Sequence, residues 1–230
     1  NVGTVIPLSS PDTPVTEEET AAPEADAARD ALVATLAEAL GDGLVASEVK
    51  AGVDVWVRVT SQAWVETAQV LRDQCGMKYF NFLSVIDWLP SPFGRDMDAQ
   101  VDQPDPVEPG EMTWGITGGQ TRFQMLARLH DPVNHVGINI KADLDDDQPT
   151  IDSWITVYPG ANWHEREAAE MFGVHFTGHP NLTKIYLPGA FEGNPMRKDF
   201  PLLARRVKPW PGLVDVEPLP GEDDDETEAS

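Results

Sequence analysis

Six prolines between Leu182 and Leu219 (Pro188, Pro195, Pro201, Pro209, Pro211 and Pro218) deny that stretch a sustained helix or a central strand. Each removes a backbone donor and fixes φ. Yet Tyr186, Leu187, Phe191, Met196, Phe200, Leu202, Leu203 and Trp210 make the stretch too apolar to lie free in water. A chain of this kind cannot build its own core. It is expected to be an extended docking arm, residues 182–216, that buries these side chains on another surface, either its own domain or a neighbour. The arm is also basic within an acidic chain. Lys184, Arg197, Lys198, Arg205, Arg206 and Lys208 face only Glu192 and Asp199 over Lys184 to Lys208, whereas the whole chain carries a net charge of −23. Local pairing and solvation are the plain reading of such a stretch, to be set against docking.

The remaining charge is concentrated at the ends. Residues 1–26 hold six acids and no base, and residues 215–230 hold eight acids and no base, which leaves −9 for everything between. Pro7, Pro11, Pro14 and Pro23 punctuate a first segment with too little apolar surface to order itself. Residues 1–26 are read as a disordered acidic extension and residues 217–230 as an acidic disordered tail. An acid surplus of this size argues against a nucleic-acid binder, because phosphate contact needs Lys and Arg in excess.

Residues 27–181 carry regular periods and are expected to form one compact domain. Leu32, Val33, Leu36 and Leu40 stand at helical spacing, and Gly41 closes that helix. Val53, Val55, Val57 and Val59 alternate with polar or aromatic residues as a strand does. Ser61 stands where an N-cap belongs, before a helix running through Trp64, Val65, Ala68 and Leu71 to Gly76. Tyr79 to Trp88 reads as a strand buried on both faces. Thr121 to His130 and Val136 to Ala142 read as a hairpin joined through Asp131-Pro132-Val133-Asn134, and Ser153 to Tyr158 as a further short strand. Residues 89–120, with five prolines, are expected to be a long irregular insertion of partly ordered surface. The order of elements predicts an α/β (α+β) fold: a mixed sheet with helices packed on one side, plus the C-terminal arm.

The densest polar cluster runs from Asn162 to Gly173, with His175 and His179 beyond it. Asn162 and Glu165 have capping-box spacing, and Gly173 is a helix stop. At about 100° per residue, Trp163, Arg166, Glu167 and Glu170 share one face, and Arg166 and Glu170 can pair four apart. His164, Glu167, Glu170, His175 and His179 are possible metal ligands, but the His-Glu-x-x-His spacing of a zinc hydrolase is absent. A charged helix face with structural pairs is the preferred reading, so no catalytic and no metal residue is assigned. Gly115 to Gly119 lacks the Lys-Ser/Thr of a phosphate loop.

The single cysteine, Cys75, can form no internal disulfide and cannot hold an iron–sulfur cluster alone. It fits a reducing compartment. The longest apolar run, Tyr79 to Ile86, is far short of the roughly 20 residues of a spanning helix. No basic stretch followed by an apolar run opens the sequence, so a signal peptide is not expected.

Glu165-Arg166-Glu167-x-x-Glu170-Met171-Phe172-Gly173-Val174-x-Phe176-x-Gly178-His179-Pro180, followed by Phe191-Glu192-Gly193-x-Pro195-x-Arg197-Lys198-Asp199-Phe200-Pro201-Leu202, strongly resembles the C subunit of bacterial NADH–quinone oxidoreductase, respiratory complex I. The resemblance is strong over about 158–203 and follows the order of elements over about 27–211. Thr183 stands where the family tends to have a basic residue, and Asn194 where it often has His.

The resemblance implies a peripheral subunit of a proton-translocating complex of the respiratory chain, on the cytoplasmic side of the plasma membrane. It implies no cofactor in this chain, with FMN and iron–sulfur clusters in partner subunits. The arm would wrap the D subunit, which shapes the quinone site, close to the B subunit with the terminal cluster. Membrane contact would come only through partners, and no homo-oligomer is implied. The candidate interface residues are Arg166, Glu167, Glu170, Arg197, Lys198, Asp199 and Phe200. Arg197 is the first choice, because a guanidinium can bind a carboxylate through two bonds, and its loss at a buried seam would cost on the order of 3 kcal/mol. An equivalent subunit of a membrane-bound hydrogenase or related dehydrogenase is the alternative. A free-standing metal-dependent hydrolase built on His164, Glu167 and His179 is a remote one.

Overall fold

The computed structural model describes residues 26–90 and 110–200. The acidic ends, residues 91–109 of the insertion and the arm beyond Phe200 lie outside the described residues. Helix α1 spans Ala27–Leu40, the expected bounds. Asp26 caps it by accepting from the Arg29 N–H, and Gly41 ends it at φ +52°. Leu32 and Leu36 are its buried residues.

Strand β1, Leu44–Glu48, was not expected from its sequence. It pairs antiparallel with β2, Val55–Val59, whose Val55, Val57 and Val59 are fully buried. Strand β2 starts two residues later than its alternation suggests, because Val53 sits in a turn closed by its N–H to the Lys50 carbonyl. The next helix is capped by Thr60, not Ser61: the Thr60 hydroxyl accepts from the Ala63 N–H, and a single 3-10 turn, Ser61–Ala63, leads into α2, Trp64–Asp73.

The sheet has five strands in the order β1-β2-β5-β4-β3. Strand β3 is Tyr79–Asp87, β4 is Phe123–Asp131 and β5 is Val136–Asp143. Within this sheet β2 and β5 run parallel and the other pairs are antiparallel. The β4–β5 hairpin forms as expected, and the Asp131 carboxylate organises its turn by accepting from the Val133 and Asn134 N–H groups. Strand β3 departs from its expected burial on both faces. It is an edge strand, so Leu83, Val85 and Asp87 point into the core while the alternate residues are half-buried and Tyr79 is exposed. The strand buried on both faces is β5, at the centre of the sheet.

The α-helices and most of the core lie on one side. Ile138, Ile140 and Ala142 of β5 meet Val55, Val57 and Val59 on one flank, and Leu129, Ala127 and Met125 on the other. Trp64 of α2 stacks on Trp154 at 4.2 Å between ring centroids. The opposite face is covered by residues 114–119. There Lys141 of β5, almost wholly buried, donates to the carbonyls of Ile116 and Gly118 at 3.0 Å each, and Arg58 pairs with Asp143 at 2.7 Å.

Residues 153–158 are not a strand. They form tight turns in which the N–H groups of Val157 and Tyr158 both bond the Trp154 carbonyl. Their apolar residues turn inward at turn spacing instead of alternating. A short strand just before them, β6, Thr150–Asp152, pairs in parallel with β7, His175–Thr177. Helix α3, Ala161–Phe172, lies between them in sequence and packs on β3.

Candidate docking site

Two of the three glutamates of helix α3, Glu165 and Glu170, have different tasks. Glu165 is fully buried and accepts from the Ser153 hydroxyl at 2.5 Å and the Trp154 N–H at 2.6 Å. The expected capping box with Asn162 therefore does not form: Gly160 stands at the N-cap without a side-chain bond, and Glu165 is committed to the buried 153–154 turn. Asn162 becomes a helical residue whose side-chain oxygen is buried without a partner among the described residues. Burial pushes the Glu165 carboxyl up to about 7, against the opposing pull of the two donors.

Glu170 faces the arm. Its carboxylate accepts three consecutive backbone N–H groups, from Ile185 at 3.0 Å, Tyr186 at 3.1 Å and Leu187. Burial would raise its pKa, but the three donors together hold it below the ordinary range. The expected Arg166–Glu170 pair is not made. Arg166 instead donates to the Thr183 carbonyl at 2.8 Å and hydroxyl at 3.0 Å. The arm has entered the groove between them and satisfied each separately. Glu167 is half-buried, and its side chain makes no hydrogen bond among the described residues.

At the C-terminus of α3 the arm is held again. The Met196 N–H bonds the Met171 carbonyl at 3.1 Å, and Arg197 Nε donates to the Phe172 carbonyl at 2.6 Å. Gly173 makes this possible. It sits at φ +75°, and a Cβ there would stand 2.7 Å from Asn194 Nδ2 and 2.8 Å from Arg197 Nη2. Arg197 also lies 4.9 Å from the Phe123 ring centroid. Within the chain it therefore serves a carbonyl and an aromatic face.

Within the chain, carboxylates are bound through paired bonds by Arg122, which the sequence did not single out. Its Nε and Nη2 donate to Asp87 at 2.9 and 2.7 Å, and its Nη1 and Nη2 donate to Asp199 of the arm at 3.0 and 2.8 Å. Asp87, at the end of β3, is almost fully buried. It also accepts from the Leu89 N–H at 3.0 Å and the arm's Lys198 N–H at 2.8 Å. Burial would raise the Asp87 carboxyl, but Arg122 and these N–H groups bring it below the usual range. The only sequence signal for the pair was an acid closing an apolar strand and a base opening another.

Phe200 is half-buried and stacks on Phe191 at 6.1 Å, and Lys184 bonds the Phe191 carbonyl. The outward side of the same region is apolar: Trp163 is 71% exposed, Tyr186 62% and Met196 55%. The five candidate metal ligands are scattered. His164 packs edge-on against Phe80, His175 is exposed, and His179 points to the Asn162 carbonyl. Among the described residues no group of three or more His, Cys, Asp or Glu side chains could hold a metal ion.

The family described as "Respiratory-chain NADH dehydrogenase, 30 Kd subunit" matches residues 57–206. The C subunit of the NADH-quinone oxidoreductase of Rhizobium rhizogenes is 34% identical over 157 residues, covering 67% of this chain and 64% of that protein. Its counterpart from Roseiflexus sp. is 43% identical over 90 residues, 39% of this chain and 52% of that protein, so the match spans about half the length of that relative. Among solved structures, a trypsin-resistant fragment of Nqo5 aligns with 65% of this chain and 98% of its own at 19% identity and a TM-score of 0.46. On the family match over residues 57–206, which contains both α3 and the described arm, the chain belongs to the 30 Kd subunit family of the respiratory-chain NADH dehydrogenase.

Proposed function

We propose that this chain is a non-catalytic, cofactor-free peripheral subunit of a proton-translocating NADH–quinone oxidoreductase. Its arm holds the quinone-site D subunit against the B subunit that carries the terminal iron–sulfur cluster, on the cytoplasmic side of the plasma membrane. FMN and the clusters belong to partner subunits, and electrons pass near this chain without entering it. No helix among the described residues is long and apolar enough to cross a membrane, which fits attachment through partners.

One observation carries the reading. The arm is tied to its own domain through backbone and charged groups, while Trp163, Tyr186 and Met196 stay exposed on the outer side. Large apolar side chains fixed outward on an ordered segment suit a protein partner, where such anchors supply most of the binding energy.

Purification of the tagged full chain from membranes in mild detergent, followed by identification of co-purifying chains, tests it. Wild type is expected to bring down the D and B subunits. Tyr186→Asp combined with Met196→Asp is expected to lose them, each anchor being worth about 2 kcal/mol of binding, while stability shifts by no more than about 0.5 kcal/mol, as for exposed positions. Recovery of wild type with no companion chain would remove the reading.

A further inference from the structure

We propose that Asp87 and Arg122 are positioning residues that latch the arm in its docking conformation within the free chain, so that it meets its partner as a ready-made surface instead of folding against it. The proposal rests on the docking reading above and adds how docking is prepared.

The arm's contacts with its own domain are directional and span its described length. Near its start, three successive N–H groups enter the Glu170 carboxylate. Further on, Met196 and Arg197 bond the last carbonyls of α3, which the helix itself leaves unpaired. At the end, Asp87 takes the Lys198 N–H and Arg122 takes both oxygens of Asp199. Arg122 is suited to this by its planar fork. One set of N–H groups is satisfied by buried Asp87, which fixes the guanidinium and aims the remaining N–H at the arm. The Phe123 ring, 4.6 Å from the Arg122 guanidinium and 4.9 Å from that of Arg197, supports both arginines side by side.

The backbone has been shaped to the same end. Gly173 leaves room for Asn194 and Arg197, and Gly193, at φ +87°, leaves room for Phe200, whose ring would lie 2.9 Å from a Cβ there. With its polar groups satisfied inward, the arm must present Tyr186 and Met196 outward. Asp87 is held within the domain by Arg122 and the Leu89 N–H and keeps an oxygen for the arm's Lys198 N–H, so the domain offers the arm a fixed acceptor before any partner arrives.

Hydrogen exchange of the isolated full chain at pH 7, read by mass spectrometry on the peptide covering 183–200, tests the latch. In wild type the arm amides are expected to be protected. Asp199→Asn, at a half-exposed position, and Arg122→Lys, which keeps a cation for Asp87 but not the double fork, are each expected to speed arm exchange about tenfold. Peptides from β4 and β5 should be unchanged. The two substitutions together should be no worse than either alone, because they remove one contact; independent effects would multiply. Unprotected arm amides in wild type, or multiplying effects, overturn the proposal. A protected arm in a chain that recovers no companions from membranes would leave the latch standing and remove the docking reading.

Discussion

Glu165→Gln should stabilise this protein above neutral pH and lose that advantage in acid. Burial raises the Glu165 carboxyl from 4.5 to about 7. The folded state therefore keeps a proton through a window, pH 4.5 to 7, in which the unfolded chain has lost it. The folded form binds more protons there, so stability falls as pH rises through the window and levels off above it. A gap of that size corresponds to about 3 kcal/mol, at 1.36 kcal/mol per unit. Gln does not titrate. Its carbonyl can accept the Trp154 N–H and its amide can face Ser153, whose hydroxyl oxygen already accepts from the Ile155 N–H. The serine proton then loses its acceptor, an offset of about 1 kcal/mol. A net gain of about 2 kcal/mol at pH 8 should remain, turning into a small loss near pH 4.5. His179 Nε2 lies 4.0 Å from the Glu165 carboxylate and 3.3 Å from the Asn162 carbonyl. Urea unfolding followed by tryptophan fluorescence at intervals between pH 5 and 8.5, for both proteins, gives the difference curve, in which all other titrations cancel. A difference independent of pH, or one that shrinks as pH rises, would refute the reasoning.

Two further substitutions follow from the same geometry. Gly173→Ala should destabilise the chain by about 1–2 kcal/mol through its left-handed φ, and should expose the arm to trypsin at Arg197 and Lys198 because the new methyl displaces Asn194 and Arg197; unaltered cleavage would contradict the contact. Burial lowers the Lys141 amine to about 8, so the folded state sheds its proton before the unfolded chain does, and wild-type stability should rise between pH 8 and 10.5. Lys141→Met should abolish that rise, as denaturant midpoints at pH 7.5 and 10 would show.

The elements that were legible from the sequence are those whose own residues decide their structure. Helix α1, strand β2 and the β4–β5 hairpin rest on local periods and turn chemistry, and Gly173 on the need for positive φ. What failed depended on neighbours. The most apolar run, Tyr79 to Ile86, looked like a strand covered on both sides, but it sits at the sheet edge. The strand that is covered on both sides, β5, carries Asn139 and Lys141, and polar residues in a central strand disguise its position. Strand β1 has no distinctive pattern and exists because β2 offers it an edge.

The site shows the same division on a single helix. Glu165 and Glu170 look alike in sequence, both acids in an amphipathic run, and helical periodicity assigns each to a face. Periodicity cannot assign their charge states. Glu165 meets two donors inside a closed core, and burial wins, so its carboxyl is pushed up to about 7. Glu170 meets three N–H groups from a passing chain, and the donors win, so its carboxyl is lowered. The donors come from residues 153–154 in one case and 185–187 in the other. Neither segment forms a helix or a strand. The same holds for Arg122 and Asp87, which pair with each other and are met by the neighbouring arm residues Asp199 and Lys198, distant from both in sequence. In this protein the irregular segments decide what the regular ones do. The chemistry of α3 is therefore set by the arm lying on it, and a change in the arm should alter the titration of Glu170 while leaving that of Glu165 untouched.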